Sequence, residues 1–87
     1  MAGTHFIIYS RSYCHLCEDM RNALEQFRPA QVFTVEMRDV DADAALLQRY
    51  DELVPVLVGQ HGEQAPRQLC HYFLDVAEVT QFFTESP

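Results

Sequence analysis

The apolar positions of the chain alternate between short unbroken runs and helical spacing. His5-Phe6-Ile7-Ile8-Tyr9 is an unbroken run. Adjacent Ile7 and Ile8 imply burial on both faces, as in a central strand covered by helices. Leu16, Met20, Leu24 and Phe27 then recur at spacings of four, four and three. That pattern predicts a helix from about Cys14 to Phe27, with Arg21, Asn22, Glu25 and Gln26 in water. Ser10 to Tyr13 is the loop between strand and helix, where Ser12 is a candidate acceptor for the first helical amides. Arg28-Pro29 stops the helix, because proline lacks an amide and restricts the residue before it.

Val32 to Glu36 reads as a second strand ending near Met37. A strand, a helix of this length and a strand make a crossover unit, so the two strands should run parallel with a right-handed connection. Asp39, Asp41 and Asp43 fit turns and a helix amino end, and they lack the glycine and distal glutamate of a calcium loop. A second helix covers Ala44 to Tyr50. Pro55 cannot sit inside a fully paired ladder, so it should begin the strand Val56 to Val58. Gly59-Gln60-His61-Gly62 reads as a tight reversal, followed by a weaker strand between Glu63 and Cys70 that Ala65-Pro66 keeps short or at an edge. Asp75 and Glu78 form the capping pair of a last helix, with Leu74 and Val79 as its staple, ending before Pro87. The element order is βαβ-α-ββ-α.

Composition narrows the class. The 87 residues form one domain, 1–87, and an apolar share of 48 % argues against disorder. The net charge is −7 and all six basic residues are scattered arginines, which opposes nucleic acid or an anionic membrane as partner. Met1 to Thr4 is too short and uncharged for a signal n-region, and no apolar run approaches the roughly 20 residues of a membrane span. A cytoplasmic, reducing location and a monomer are the expectation. Three cysteines are too few for a disulfide scaffold.

The chemistry concentrates in Tyr13-Cys14-His15-Leu16-Cys17-Glu18-Asp19. Cysteines three apart at the start of a helix lie close enough to bond, and the helix dipole favours a thiolate on Cys14. Cys17, one turn on and facing inward, can attack a mixed disulfide formed on Cys14. Arg11, and a protonated His15, would favour the thiolate; Glu18 and Asp19 oppose it. The other reading of Cys-x-x-Cys is half of a zinc site completed by Cys70-His71, and a third is a pair of inert cysteines. Cys70 itself reads as a half-buried core cysteine, with a third redox thiol or a metal ligand as alternatives. His5, His61 and His71 fit strand edges or turns.

The strand His5–Tyr9, the Cys14-His15-Leu16-Cys17 motif, the acidic second helix, Leu53-Val54-Pro55, the hairpin and the closing helix together resemble the glutaredoxin-like family of the thioredoxin superfamily. The resemblance implies an α/β thioredoxin/glutaredoxin-like fold, with a four-stranded mixed sheet flanked by three helices. It also implies a thiol–disulfide oxidoreductase in which Cys14 attacks and Cys17 resolves, and in which Pro55 is cis and turns Val54 backbone groups toward the substrate. Arg11, Tyr13, His15, Val54 and Pro55 become the substrate-binding residues. No tightly bound cofactor or metal is implied. Glutathione is the candidate reductant, and a disulfide-containing protein or a glutathione mixed disulfide the partner. A carrier of iron–sulfur or metal and a non-catalytic protein-binding module are the rival classes. The chain departs from the family in three places. His15-Leu16 replaces Pro-Tyr, Arg11 replaces a lysine, and Leu69-Cys70-His71-Tyr72 lacks the Gly-Gly that holds a glutathione carboxylate.

Overall fold

The computed structural model describes residues 3–85. Met1, read as opening the stretch too short for a signal, and Pro87, read as lying beyond the last helix, fall outside them. The elements are β1 (Thr4–Ser10), α1 (His15–Glu25), β2 (Thr34–Asp39), a single 3-10 turn (Val40–Ala42), α2 (Ala44–Tyr50), β3 (Val56–His61), β4 (Arg67–His71) and α3 (Val76–Thr84). The expected order βαβ-α-ββ-α stands. One mixed sheet has the order β2-β1-β3-β4, with β1 parallel to β2 and antiparallel to β3, and β3 antiparallel to β4.

β1 is covered on both faces, as its unbroken apolar run requires. Phe6 and Ile8 join Met20 and Leu24 of α1 and Val79, Phe82 and Phe83 of α3 in the larger core. Tyr9 turns to the other face, where it stacks on Tyr50 of α2 at 4.6 Å beside Val40, Val56 and Val58. Asp43 caps α2 by accepting from the Ala45 and Leu46 amides, and Asp75 caps α3 by accepting from Glu78 N–H at 3.1 Å. Asp39 caps the 3-10 turn and Asp43 caps α2, in line with their sequence reading, whereas Asp41 is also the ion-pair partner of Arg11.

Four details differ from the sequence expectation. The cap of α1 is Cys14, not Ser12, and the inner face of the helix is Cys17, Met20 and Leu24, with Leu16 exposed. The helix ends at Glu25, because Phe27 and Arg28 tighten onto the Leu24 and Glu25 carbonyls ahead of Pro29. β2 lies two residues later than expected, from the pairing of His5 with Thr34 through Ser10 with Asp39, and leaves Val32 in solvent. β3 continues through Gly59 to His61, so the reversal begins at Gly62, whose φ is 53°. Gly59 is not a turn residue. A Cβ there would lie 2.7 Å from the Phe82 ring, so the strand carries a glycine where α3 presses on it. His61 is buried rather than in a turn: Nε2 donates to the Phe82 carbonyl at 2.7 Å, and Nδ1 bonds the Thr4 hydroxyl at 3.0 Å.

Candidate active site

The sheet connectivity brings the functional candidates to one edge. The carboxyl ends of β1, β2 and β4 and the amino end of β3 share that edge, because only β1 and β2 are parallel among adjacent strands. After Ser10 the chain makes a turn in which Tyr13 holds φ at 60°, and Cys14 follows in extended conformation as the cap of α1. This arrangement places the first amides of the helix over a sulfur. Cys17 N–H donates to Cys14 Sγ at 3.1 Å.

Cys14 and Cys17 are joined as a disulfide, with Cα atoms 5.3 Å apart. The two sulfurs differ in access. Cys14 is half-buried, whereas Cys17 is 2 % exposed and packed inward from the first turn. A hollow of about 390 Å³ opens beside them, lined also by Arg11, Tyr13, His15, Glu18 and Met37. Sequence reasoning missed Met37, although the parallel register, which pairs it with Ile8, carries the signal.

Arg11 is not a free cation. Its guanidinium donates to both carboxylate oxygens of Asp41, at 2.9 and 3.2 Å, and that bond, followed by the Asp41 charge, raises its pKa above the ordinary value. Its charge stays, but a compensating carboxylate stands beside it. His15 and Tyr13 are exposed.

Val54 and Pro55 do not line the hollow; they enter the edge from its other side. The pairing of Tyr9 with Val56 puts Pro55 next to Ser10, where the active-site loop leaves β1. The Val54–Pro55 bond is cis, as the resemblance implied. The Val54 amide is already engaged by the Tyr50 carbonyl at 3.1 Å, and the Pro55 carbonyl accepts from Tyr72 N–H at 2.9 Å. Tyr72 holds φ at 65°, and its hydroxyl donates to the Glu52 carbonyl at 2.6 Å.

Cys70, on β4 opposite Leu57, packs against the larger core. Burial, the largest influence, raises its pKa above the ordinary thiol value, partly countered by the Asp75 amide that donates to its sulfur. It is a free thiol apart from the Cys14–Cys17 pair. Among the described residues no three His, Cys, Asp or Glu side chains are grouped as metal ligands would be, so Cys70-His71 does not complete a site with Cys14 and Cys17. No helix of the described residues is long and apolar enough to cross a membrane.

Comparison with known proteins agrees with this geometry. The family model described as "Glutaredoxin-like domain (DUF836)" matches residues 5–84. Protein Ne2328 from Nitrosomonas europaea is similar in structure, with a TM-score of 0.81 and 31 % identity over 92 % of this chain and 91 % of that one. Target protein XcR50 from X. campestris has a TM-score of 0.66 and 32 % identity over 94 % of this chain and 99 % of that one. Trichomonas vaginalis thioredoxin shares the fold alone, at 18 % identity and a TM-score of 0.62 over 95 % of this chain and 78 % of that one. No curated protein matches the sequence significantly.

Proposed function

The chain belongs to the glutaredoxin-like domain family of the thioredoxin superfamily and has the role of a thiol–disulfide oxidoreductase; we propose that Cys14 is its attacking thiol and Cys17 its resolving thiol. The observation that carries this assignment is the unequal access of two bonded sulfurs. Cys14, half-exposed at the helix cap, accepts the Cys17 amide, while Cys17 is 2 % exposed beneath it. In the reduced protein that amide and the helix dipole favour a thiolate at Cys14, which is the nucleophilic form.

The exchange balances without a cofactor. The Cys14 thiolate attacks one sulfur of a substrate disulfide, forming a mixed disulfide and expelling the other substrate sulfur as thiolate. Cys17, on losing its proton, attacks Cys14 Sγ, closes the Cys14–Cys17 bond and expels the second substrate thiol. Two electrons have then moved from protein to substrate. The structure holds the oxidised product of that sequence. A thiol donor must reopen the pair by the reverse chemistry; the family assignment points to glutathione-linked chemistry, and we propose glutathione or a dithiol protein in that role. A reducing, cytoplasmic setting and a monomeric chain are part of the proposal.

Arg11, Tyr13 and His15 line the hollow beside the attacked sulfur, and Val54-Pro55 precedes β3 where Pro55 comes next to Ser10. We assign these five to substrate binding. The test is trapping. Cys17→Ser, exposed to a peptide disulfide, is expected to accumulate a mixed disulfide on Cys14 visible as an intact mass, whereas Cys14→Ser forms none. A mixed disulfide that accumulates on Cys17 in the Cys14→Ser protein would reverse the assignment.

A further inference from the structure

The edge that carries the disulfide also exposes aromatic side chains on unfavourable backbone. Tyr13 is fully exposed beside Cys14, and Phe73, in the turn between β4 and α3, is 68 % exposed. Val76 opens α3 in solvent, and Tyr72 is partly exposed. Tyr13 and Tyr72 both hold positive φ, a conformation that strains a side chain and that glycine adopts freely. Tyr72 also ties this turn to the start of β3 through its bonds to Pro55 and Glu52.

Charge says what kind of partner. Glu18, Asp39, Asp51, Glu52, Asp75 and Glu78 are exposed at this edge, and none of the six has an arginine partner among the described ion pairs. Arg11, the arginine of the active-site hollow, is held by Asp41. Arg38 and Arg49 face a different hollow, against Tyr9 and Tyr50 on the α2 side of the sheet. Arg28 and Arg67 are paired with Glu25 and Glu85, remote from Cys14 in the fold, and Arg21, exposed on α1 three residues past Glu18, joins none of the described ion pairs, so the six acids still outnumber the arginines near them. The reacting edge is thus apolar at its contacts and negative around them.

We propose that this edge receives a cationic, apolar-bearing segment of a protein disulfide in preference to glutathione disulfide. The inference rests on the dithiol reading above and names its substrate class. Asp39 and Asp51 lie within electrostatic reach of Arg11, but the carboxylates remain in excess; field lines from that excess raise the association rate of a cationic partner, by about 10–1000-fold in strongly steered cases, and salt removes the gain because screening sets in within about 10 Å at 0.1 M. Glutathione carries more carboxylates than ammonium groups, so the same field opposes it. Phe73 and Tyr13 supply the apolar contact that desolvates the encounter.

The test uses the full chain, returned to its dithiol after each exchange by an excess of a neutral dithiol reductant whose direct reaction is subtracted, and three disulfides. Two peptides share one aromatic-flanked disulfide and differ only in lysine or glutamate neighbours; the third compound is neutral bis(2-hydroxyethyl) disulfide. At low ionic strength the lysine peptide is expected to react at least about tenfold faster than the glutamate peptide, and the ratio to fall below about threefold at 0.5 M salt. Asp51→Asn with Glu78→Gln is expected to reduce the preference at least threefold, and Glu63→Gln, at the opposite edge, to leave it intact. Phe73→Ser is expected to raise KM for the lysine peptide. Equal rates for the two peptides at low salt, an equal loss of preference in Glu63→Gln, or an unaltered KM in Phe73→Ser would overturn the inference, while turnover of the neutral disulfide would show the dithiol reading intact. No turnover of any of the three would overturn both.

Discussion

Gly59→Ala is expected to destabilise the protein even though it places a better strand former in β3. Two effects oppose one another. Alanine reduces the freedom of the unfolded chain, a gain of about 0.5–1 kcal/mol. Its methyl, however, would sit 2.7 Å from Cε2 and Cζ of Phe82 and 3.1 Å from Cδ1 of Leu69. Phe82 cannot swing clear, since its ring stacks on buried His61 at 3.9 Å and leans on Phe6 at 5.6 Å. Its backbone is also fixed, because the Phe82 carbonyl accepts from His61 Nε2. Forcing a methyl into such a contact costs about 1–3 kcal/mol. The clash wins by roughly 1–2 kcal/mol, which lowers Tm by about 5–15 °C in a domain of this size. Urea and thermal unfolding followed by circular dichroism measure it. In a Phe82→Leu background, which removes the ring edge, the same substitution should cost measurably less. A Gly59→Ala protein as stable as the parent, or an equal loss in both backgrounds, would refute the reasoning.

Other outcomes follow from single side chains. Burial raises the Cys70 thiol above its ordinary value of 9.0, so the folded state holds that proton more tightly than the unfolded state. The resulting stability is complete below that value and is lost as pH rises through the folded pKa. Oxidised protein should therefore lose stability above about pH 9 more steeply than its Cys70→Ala variant, as read by urea midpoints against pH. Tyr72→Phe removes the hydroxyl bond to the Glu52 carbonyl and should cost about 0.5–1.5 kcal/mol in urea unfolding. Asp43→Ala removes the acceptor for two amides at the start of α2, and the loss should be about 0.5–2 kcal/mol by the same measurement.

Much of the fold was legible because its signals are local. The run His5 to Tyr9, the Asp75 cap and the helix through Ala44 and Tyr50 each rest on neighbouring residues, and each stands, although the Asp75 amide bonds Cys70 Sγ rather than the Glu78 carboxylate. The dithiol was legible from spacing and position, and the cis Val54–Pro55 bond only through the family resemblance. What escaped depends on contacts distant in sequence. Gly59 and His61 look like turn residues by composition, yet Phe82, more than twenty positions on, makes one a contact glycine and the other a core side chain. The inward facing of Cys17 was legible, but Leu16, counted in the apolar stripe of α1, is exposed. Tyr13 and Tyr72 occupy conformations usually assigned to glycine, so no turn rule marks them.

The central claim is that Cys14 and Cys17 act as one exchangeable pair. Equilibrating the protein across glutathione redox buffers, quenching with a thiol-trapping reagent and weighing the intact products tests it most directly. The account predicts one two-electron transition in which Cys14 and Cys17 are trapped or protected together while Cys70 stays a free thiol throughout. Absence of a Cys14–Cys17 disulfide in every buffer, or disulfide exchange undiminished in Cys14→Ser, would contradict it.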